Sequence, residues 1–98
     1  MPAYLFVDLD ILDASAYEAY KQQVPALVAR HGGVYLARGG AFEVLEGEWQ
    51  PQRLVLFRFP DRAAIHRFMD DPDYAPLKAL RQQVARSRIV AFDGLDIA

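Results

Sequence analysis

The sequence predicts an α+β fold: one antiparallel sheet with helices on a single face, in the order β-α-β-β-α-β. Three observations predict it. Strand-like apolar stretches stand near both ends of the chain, at Ala3 to Ile11 and Ile89 to Asp93. Apolar residues at three- and four-residue steps follow the first strand and precede the last. Glycine-punctuated strand composition fills the middle.

In the first strand Leu5, Val7, Leu9 and Ile11 alternate with Tyr4, Phe6, Asp8 and Asp10. One face is fully apolar, while the other begins aromatic and ends acidic. Ser15 and Glu18 have capping-box spacing for the next helix. Its inner face is Tyr17, Tyr20, Val24, Leu27, Val28 and His31, with a kink expected at Pro25 and an end at Gly32-Gly33. Val34 to Arg38 and Phe42 to Glu46 both read as strand. Gly39-Gly40 between them is either a hairpin turn or a bend in one long strand, and the bend is favoured because the turn signal at Gly47 to Pro51 is stronger. Arg53 to Phe59 is an apolar strand closed by Pro60. Asp61 caps a second helix carrying Ile65, Phe68 and Met69 inward. Asp71-Pro72 breaks that helix, and Tyr74, Leu77, Leu80, Arg81 and Val84 line its continuation. The run from Arg81 to Arg88 reads as a solvated helix face.

The length of 98 residues fits one domain spanning 1–98. A hydrophobic share of 53% exceeds what so small a core absorbs, which points to a subunit interface or a pocket. The second sheet face, with Phe6, Leu36 or Tyr35, and Phe57 or Leu56, is too apolar for water. Two such ferredoxin-like subunits placed sheet to sheet hide it, so a homodimer forming an α/β barrel is expected. A net charge of −2 gives no electrostatic case for nucleic acid. The absence of cysteine excludes disulfides, thiol catalysis and zinc–thiolate sites. No signal peptide or membrane span is visible, and a cytoplasmic location is the default.

Arg38-Gly39-Gly40, Glu43, Leu45-Glu46-Gly47-Glu48-Trp49, Phe59-Pro60, Asp71-Pro72-Asp73-Tyr74 and Leu80-Arg81 occur in an order that resembles the DUF1330 family of uncharacterised bacterial proteins. The resemblance runs over nearly the whole chain. Arg58 stands where that family usually has glutamate, and Asp71 where it usually has serine. The resemblance implies a dimeric α/β-barrel fold without an established chemistry. Wider relatives of that fold include cofactor-free monooxygenases and haem-degrading enzymes, whose motifs do not map onto this chain.

The candidate residues follow from chemistry. Arg38 beside Gly39 and Gly40 can clamp a carboxylate where the backbone allows close approach, or can merely pair with Glu43 or Glu46. Asp8 on a partly apolar face needs a partner, for which Arg58, Arg38 and Arg81 are candidates, and it can serve as a base. His66 is a candidate base or haem ligand, and His31 suits a helix C-terminus. Tyr17 faces inward with its hydroxyl at a rim. Trp49 in its loop suits a dimer contact. The leading functional expectation is a small-molecule binder or enzyme without metal or cofactor, its aromatic-lined pocket holding Asp8, Arg38 and Arg81, with Asp8 or His66 as base and Tyr17, Gly39, Gly40 and Arg58 as ligand contacts. A non-catalytic sensing or scaffolding dimer is the alternative, followed by a haem-associated protein or a cofactor-free monooxygenase.

Overall fold

A computed structural model describes residues 1–95. The chain runs β1 (Ala3–Ile11), α1 (Ala14–Arg30), β2 (Val34–Arg38), β3 (Arg53–Phe59), α2 (Arg62–Met69), α3 (Ala75–Val84) and β4 (Ala85–Asp93). The four strands form an antiparallel sheet in the order β2-β3-β1-β4. Leu5, Val7 and Leu9 on β1, Val55, Phe57 and Phe59 on β3, and the inner faces of the helices make the buried core. The ferredoxin-like α+β fold expected from the element order is the one observed.

Register assigns the faces. Leu5, Val7 and Leu9 stand opposite Phe57, Val55 and Arg53 on one side, and opposite Ala91, Ile89 and Ser87 on the other. Cross-strand neighbours share a face, so these residues lie under the helices. Tyr4, Phe6, Asp8 and Asp10 share the opposite face with Leu54, Leu56, Arg58, Arg86, Arg88, Val90 and Phe92. Among the described residues no helix covers that second face, and the molecule is only 16 Å thick along its short axis. No helix among them is long and apolar enough to cross a membrane.

Several local expectations are corrected. Asp13, not Ser15, caps α1: its Oδ1 accepts from the Ala16 amide at 3.1 Å, because the helix starts two residues earlier than the capping box requires. The helix continues through Pro25. Gly32, at φ +78, ends it in the left-handed region that glycine enters cheaply. Phe42 to Glu46 is not a strand, and Gly39-Gly40 is neither hairpin nor mid-strand bend. The ladder stops where the Gly39 amide donates to the Leu54 carbonyl at 2.8 Å, and residues 40–52 form an exposed arm apart from the buried Pro51. The arginine-rich run is not a solvated helix face, since Arg81 is buried and Arg86 and Arg88 lie on β4. Asp61 does cap α2, accepting from the Ala64 amide at 2.8 Å.

Candidate functional site: an acid-free cationic cavity

A narrow cavity of about 30 Å³ opens between the sheet and the helices. That is room for roughly two water molecules. The apolar floor of Val7, Val55, Phe57 and Ile89 follows directly from strand alternation. The polar lining depends on three local devices.

The first device is a bulge in β2. Pairing shifts between Tyr35 and Ala37, so Tyr35 faces Phe57 and Arg38, three residues later, faces Val55. Without the extra residue the two side chains would point to opposite faces. The bulge therefore brings both to the cavity mouth. There the Arg38 guanidinium lies 4.7 Å over the Tyr35 ring and donates to the Lys21 carbonyl of α1 at 2.7 Å.

The second is the start of β3. Arg53 begins the inward-facing set that continues with Val55, Phe57 and Phe59. Its carbon Cζ lies 5.7 Å from the centre of the Tyr17 ring, and its Nε is buried without a hydrogen-bond partner. Gly39, at φ +67, makes room for it, because a Cβ there would sit 2.2 Å from Arg53 Nη1.

The third is the direct passage from α3 into β4. With no loop between them, Arg81 in the last helical turn folds back on Ser87 and donates to its Oγ at 2.7 Å. A longer contact of 3.4 Å joins Arg81 Nε to the Tyr74 hydroxyl, which lies 2.8 Å from that of Tyr20. Arginine has no acceptor, so it must donate. The bond between Tyr20 and Tyr74 can run in either direction, so one of the two hydroxyls keeps a hydrogen for the cavity. Burial raises the Tyr20 pKa, reinforced by Tyr74, and burial likewise raises those of Tyr17 and Tyr35 against the pull of Arg53 and Arg38. All three phenols therefore stay protonated near neutral pH and act as donors.

The electrostatic balance of this lining is one-sided. Lys21, Arg38, Arg53 and Arg81 line the cavity, and no carboxylate does. Lys21 is matched outside by Glu18 at 3.3 Å. Arg81 is 4% exposed and has no carboxylate partner among the described residues. Buried charges are ordinarily paired, so this arrangement is suited to an anion supplied from outside.

The structure brings together Tyr17, Arg38 and Arg81 of the residues expected from sequence, with Gly39 behind Arg53. It separates the others. Asp8 is buried on the far side of the sheet, so a pocket combining it with Arg81 does not exist. Its partners are neither Arg58, Arg38 nor Arg81: Trp49 Nε1 donates to Asp8 Oδ2 at 2.9 Å, and Arg88 Nε reaches the same oxygen at 3.3 Å. Asp8 Oδ1 is buried and unpartnered. Arg58 is exposed on that second face, His66 is exposed on α2, and nothing surrounds the Cβ position of Gly40. Arg53, Tyr20 and Tyr74 complete the cavity, and Ser87 holds Arg81, without having been singled out for it in the sequence. For Arg53 the signal was present, because strand alternation places it on the inner face with Phe57.

Among the described residues no group of three or more metal-ligating side chains comes together. No curated protein sequence matches the chain. Solved structures do. A protein of unknown function from Rhodopseudomonas palustris, RPA0582, superposes with a TM-score of 0.79 at 21% identity, covering 98% of this chain and 84% of its own. SnoaB, a cofactor-independent oxygenase from Streptomyces nogalater, gives 0.67 at 14% identity over 98% and 95% of the two chains. A dabb family protein with a ferredoxin-like fold from Mesorhizobium loti gives 0.67 at 15% identity over 96% and 97%. At these identities the likeness is one of fold. The family model described as a domain of unknown function, DUF1330, matches residues 2–95, and the chain belongs to that family.

Proposed function

We propose that this protein is a homodimeric receptor for a small organic carboxylate, held in the cavity between sheet and helices. The observation that carries the reading is the lining: three arginines, a lysine and four tyrosines converge there with no acid among them. A carboxylate supplies the missing charge, accepts from Arg38, Arg53 and the Tyr20–Tyr74 pair, and lies against aromatic walls. No histidine, aspartate, glutamate or cysteine lines the cavity, so neither of the expected bases, Asp8 and His66, reaches a ligand there. Binding is what this geometry supports, and proton abstraction by a side-chain base is not.

The cavity as it stands is tight, and Arg38 closes its mouth on the Lys21 carbonyl. Entry of a carboxylate exchanges that neutral acceptor for a charged one able to take two parallel bonds from the guanidinium fork. Thermal melts and titration calorimetry with acetate and benzoate at constant ionic strength test the reading. Stabilisation that disappears in R53Q supports it. A protein that responds to no carboxylate refutes it.

The homodimer reading rests on the second sheet face. Val34, Leu36, Val90 and Phe92 there are all about half exposed, and the arm adds Phe42, Val44 and Trp49. Contiguous apolar surface of this kind marks an association site. The face also carries Asp8 and Asp10 beside Arg58, Arg86 and Arg88, so two copies related by a twofold axis meet with both signs available. Light scattering should give about twice 11.1 kDa, and F92D with V90D should give half of that. Phe57 and Tyr35, the alternatives that strand alternation also offered for this face, lie on the helix side instead.

A further inference from the structure

We propose that the ligand of the cavity is two-ended, a short dicarboxylate whose carboxylates are held separately by Arg53 and Arg81. The proposal rests on the reading of the cavity as a carboxylate site and adds what the arrangement of charges requires. Arg53 and Ser87 face Leu9 in register from opposite sides of β1. They therefore stand two strand spacings apart, about 10 Å. Arg81 is tied to Ser87 at 2.7 Å, whereas Arg53 is held against Tyr17 and Gly39. The two guanidinium groups thus belong to opposite ends of one cavity, and neither has a carboxylate partner among the described residues.

A monocarboxylate satisfies one end and leaves the other cation in a poorly hydrated place. Arg81 is the more demanding end, being almost wholly buried, with one short bond to a neutral hydroxyl. Arg53 has an unpartnered buried Nε. Once Arg38 leaves the Lys21 carbonyl and opens a cavity that, closed, holds about two waters, a dicarboxylate with a spacer of about two to four carbons places one carboxylate on each guanidinium. Its apolar spacer lies over Leu9 and Val55, and the Tyr20–Tyr74 pair supplies one free hydroxyl hydrogen to the inner carboxylate. A single compact dianion such as phosphate matches the charge but not the separation.

Titration calorimetry on the full chain at constant ionic strength tests this, with acetate and butyrate against succinate, glutarate and adipate, and with inorganic phosphate as a further arm. The expected result is a best dicarboxylate bound about tenfold or more tighter than butyrate, as one added charge-assisted contact provides. In R81M that advantage should vanish while butyrate binding persists. Equal affinity for butyrate and every dicarboxylate in the wild-type protein overturns the two-ended ligand and leaves the carboxylate site standing. Binding of no carboxylate at all overturns both. Phosphate binding tighter than every dicarboxylate replaces the two-ended ligand with a one-point dianion. The wild-type series decides the question even where R81M fails to fold.

Discussion

Replacing Arg81 with methionine is the substitution on which the cavity argument stands most exposed. A buried arginine with a carboxylate partner is costly to remove, about 3–5 kcal/mol, because an uncompensated charge stays behind. Arg81 has no such partner, so its removal strands none. What is lost is the bond to Ser87 Oγ at 2.7 Å, worth about 1.5–3 kcal/mol for a charged donor. The contact with Tyr74 at 3.4 Å is long and contributes less, and Tyr74 keeps Tyr20. What is recovered is the desolvation of a guanidinium, several kcal/mol in a buried site. Methionine preserves most of the volume and adapts to the aromatic surroundings. The terms nearly cancel, and the unliganded variant should lie within about 1 kcal/mol of wild type, or above it. Urea denaturation and thermal melts in a buffer free of carboxylate and phosphate measure this. At this chain length about 1 kcal/mol corresponds to a melting shift of about 4–8 °C. A loss of about 3 kcal/mol or more would show that Arg81 has a structural counter-charge, and the anion argument would fail.

Three further perturbations probe the frame around the cavity. Asp71 ties the end of α1 to the α2–α3 turn through His31 Nε2 at 2.8 Å and Arg30 Nη1 at 3.1 Å, and these bonds with the Asp73 amide lower its pKa from 3.8 to about 2. Its contribution is complete above pH 3.8 and is lost as pH falls through about 2, so D71N should flatten the acid limb of the stability profile between those values; an unchanged limb would assign it to other carboxylates. A Cβ on Gly33 would sit 2.6 Å from Phe59 Cζ and 2.7 Å from Val28 Cγ1, both buried side chains, so G33A should lose about 1–3 kcal/mol in urea titration. In W49F the buried Asp8 keeps only Arg88, and a loss of about 1–3 kcal/mol is expected; equal stability would mean that Trp49 does not hold the carboxylate.

The frame of the fold was legible because alternation and helical period report burial directly. Leu5, Val7 and Leu9, or Tyr17, Tyr20 and Val24, have the spacing that their faces impose. Arg38 and Tyr17 were legible as site candidates because their types are out of place beside glycines and at a core rim. Other features depend on pairing that one chain does not spell out. The β2 bulge, which turns Tyr35 and Arg38 to one face, is set by how β2 registers against β3. Arg81 reaches Ser87 only because α3 passes into β4 without a loop, while the arginine-rich run by itself resembles an exposed helix. The partner of Asp8 was missed because Trp49 arrives from an arm with no periodicity, 41 residues away.

Asp8 and Arg81 are the two charged residues buried in the described chain, and they lie on opposite faces of one sheet. Each is incompletely paired, and the deficits differ in kind. On the helix side, cations converge on an enclosed space without acids, so the missing partner is small and anionic. On the second side, one carboxylate oxygen lacks a donor in a wide hollow between Phe6, Trp49 and Val90, which opens onto exposed apolar surface. The proposed homodimer covers this face with a second copy of the chain, which a small molecule is too small to do. The sheet lies between these two sites, and β2 with its arm belongs to both. Arg38 and Gly39 at the root border the ligand cavity, while Trp49 near the far end lies over the dimer face. A carboxylate that draws Arg38 away from Lys21 therefore acts on the root of the segment that completes the interface. On this reading, dimer affinity measured with and without ligand should differ, and by linkage the dimerisation constant should change by the square of the per-site shift in ligand affinity between the F92D/V90D monomer and the wild-type protein, since each dimer has two sites. Equal ligand affinity in monomer and dimer would separate the two sites.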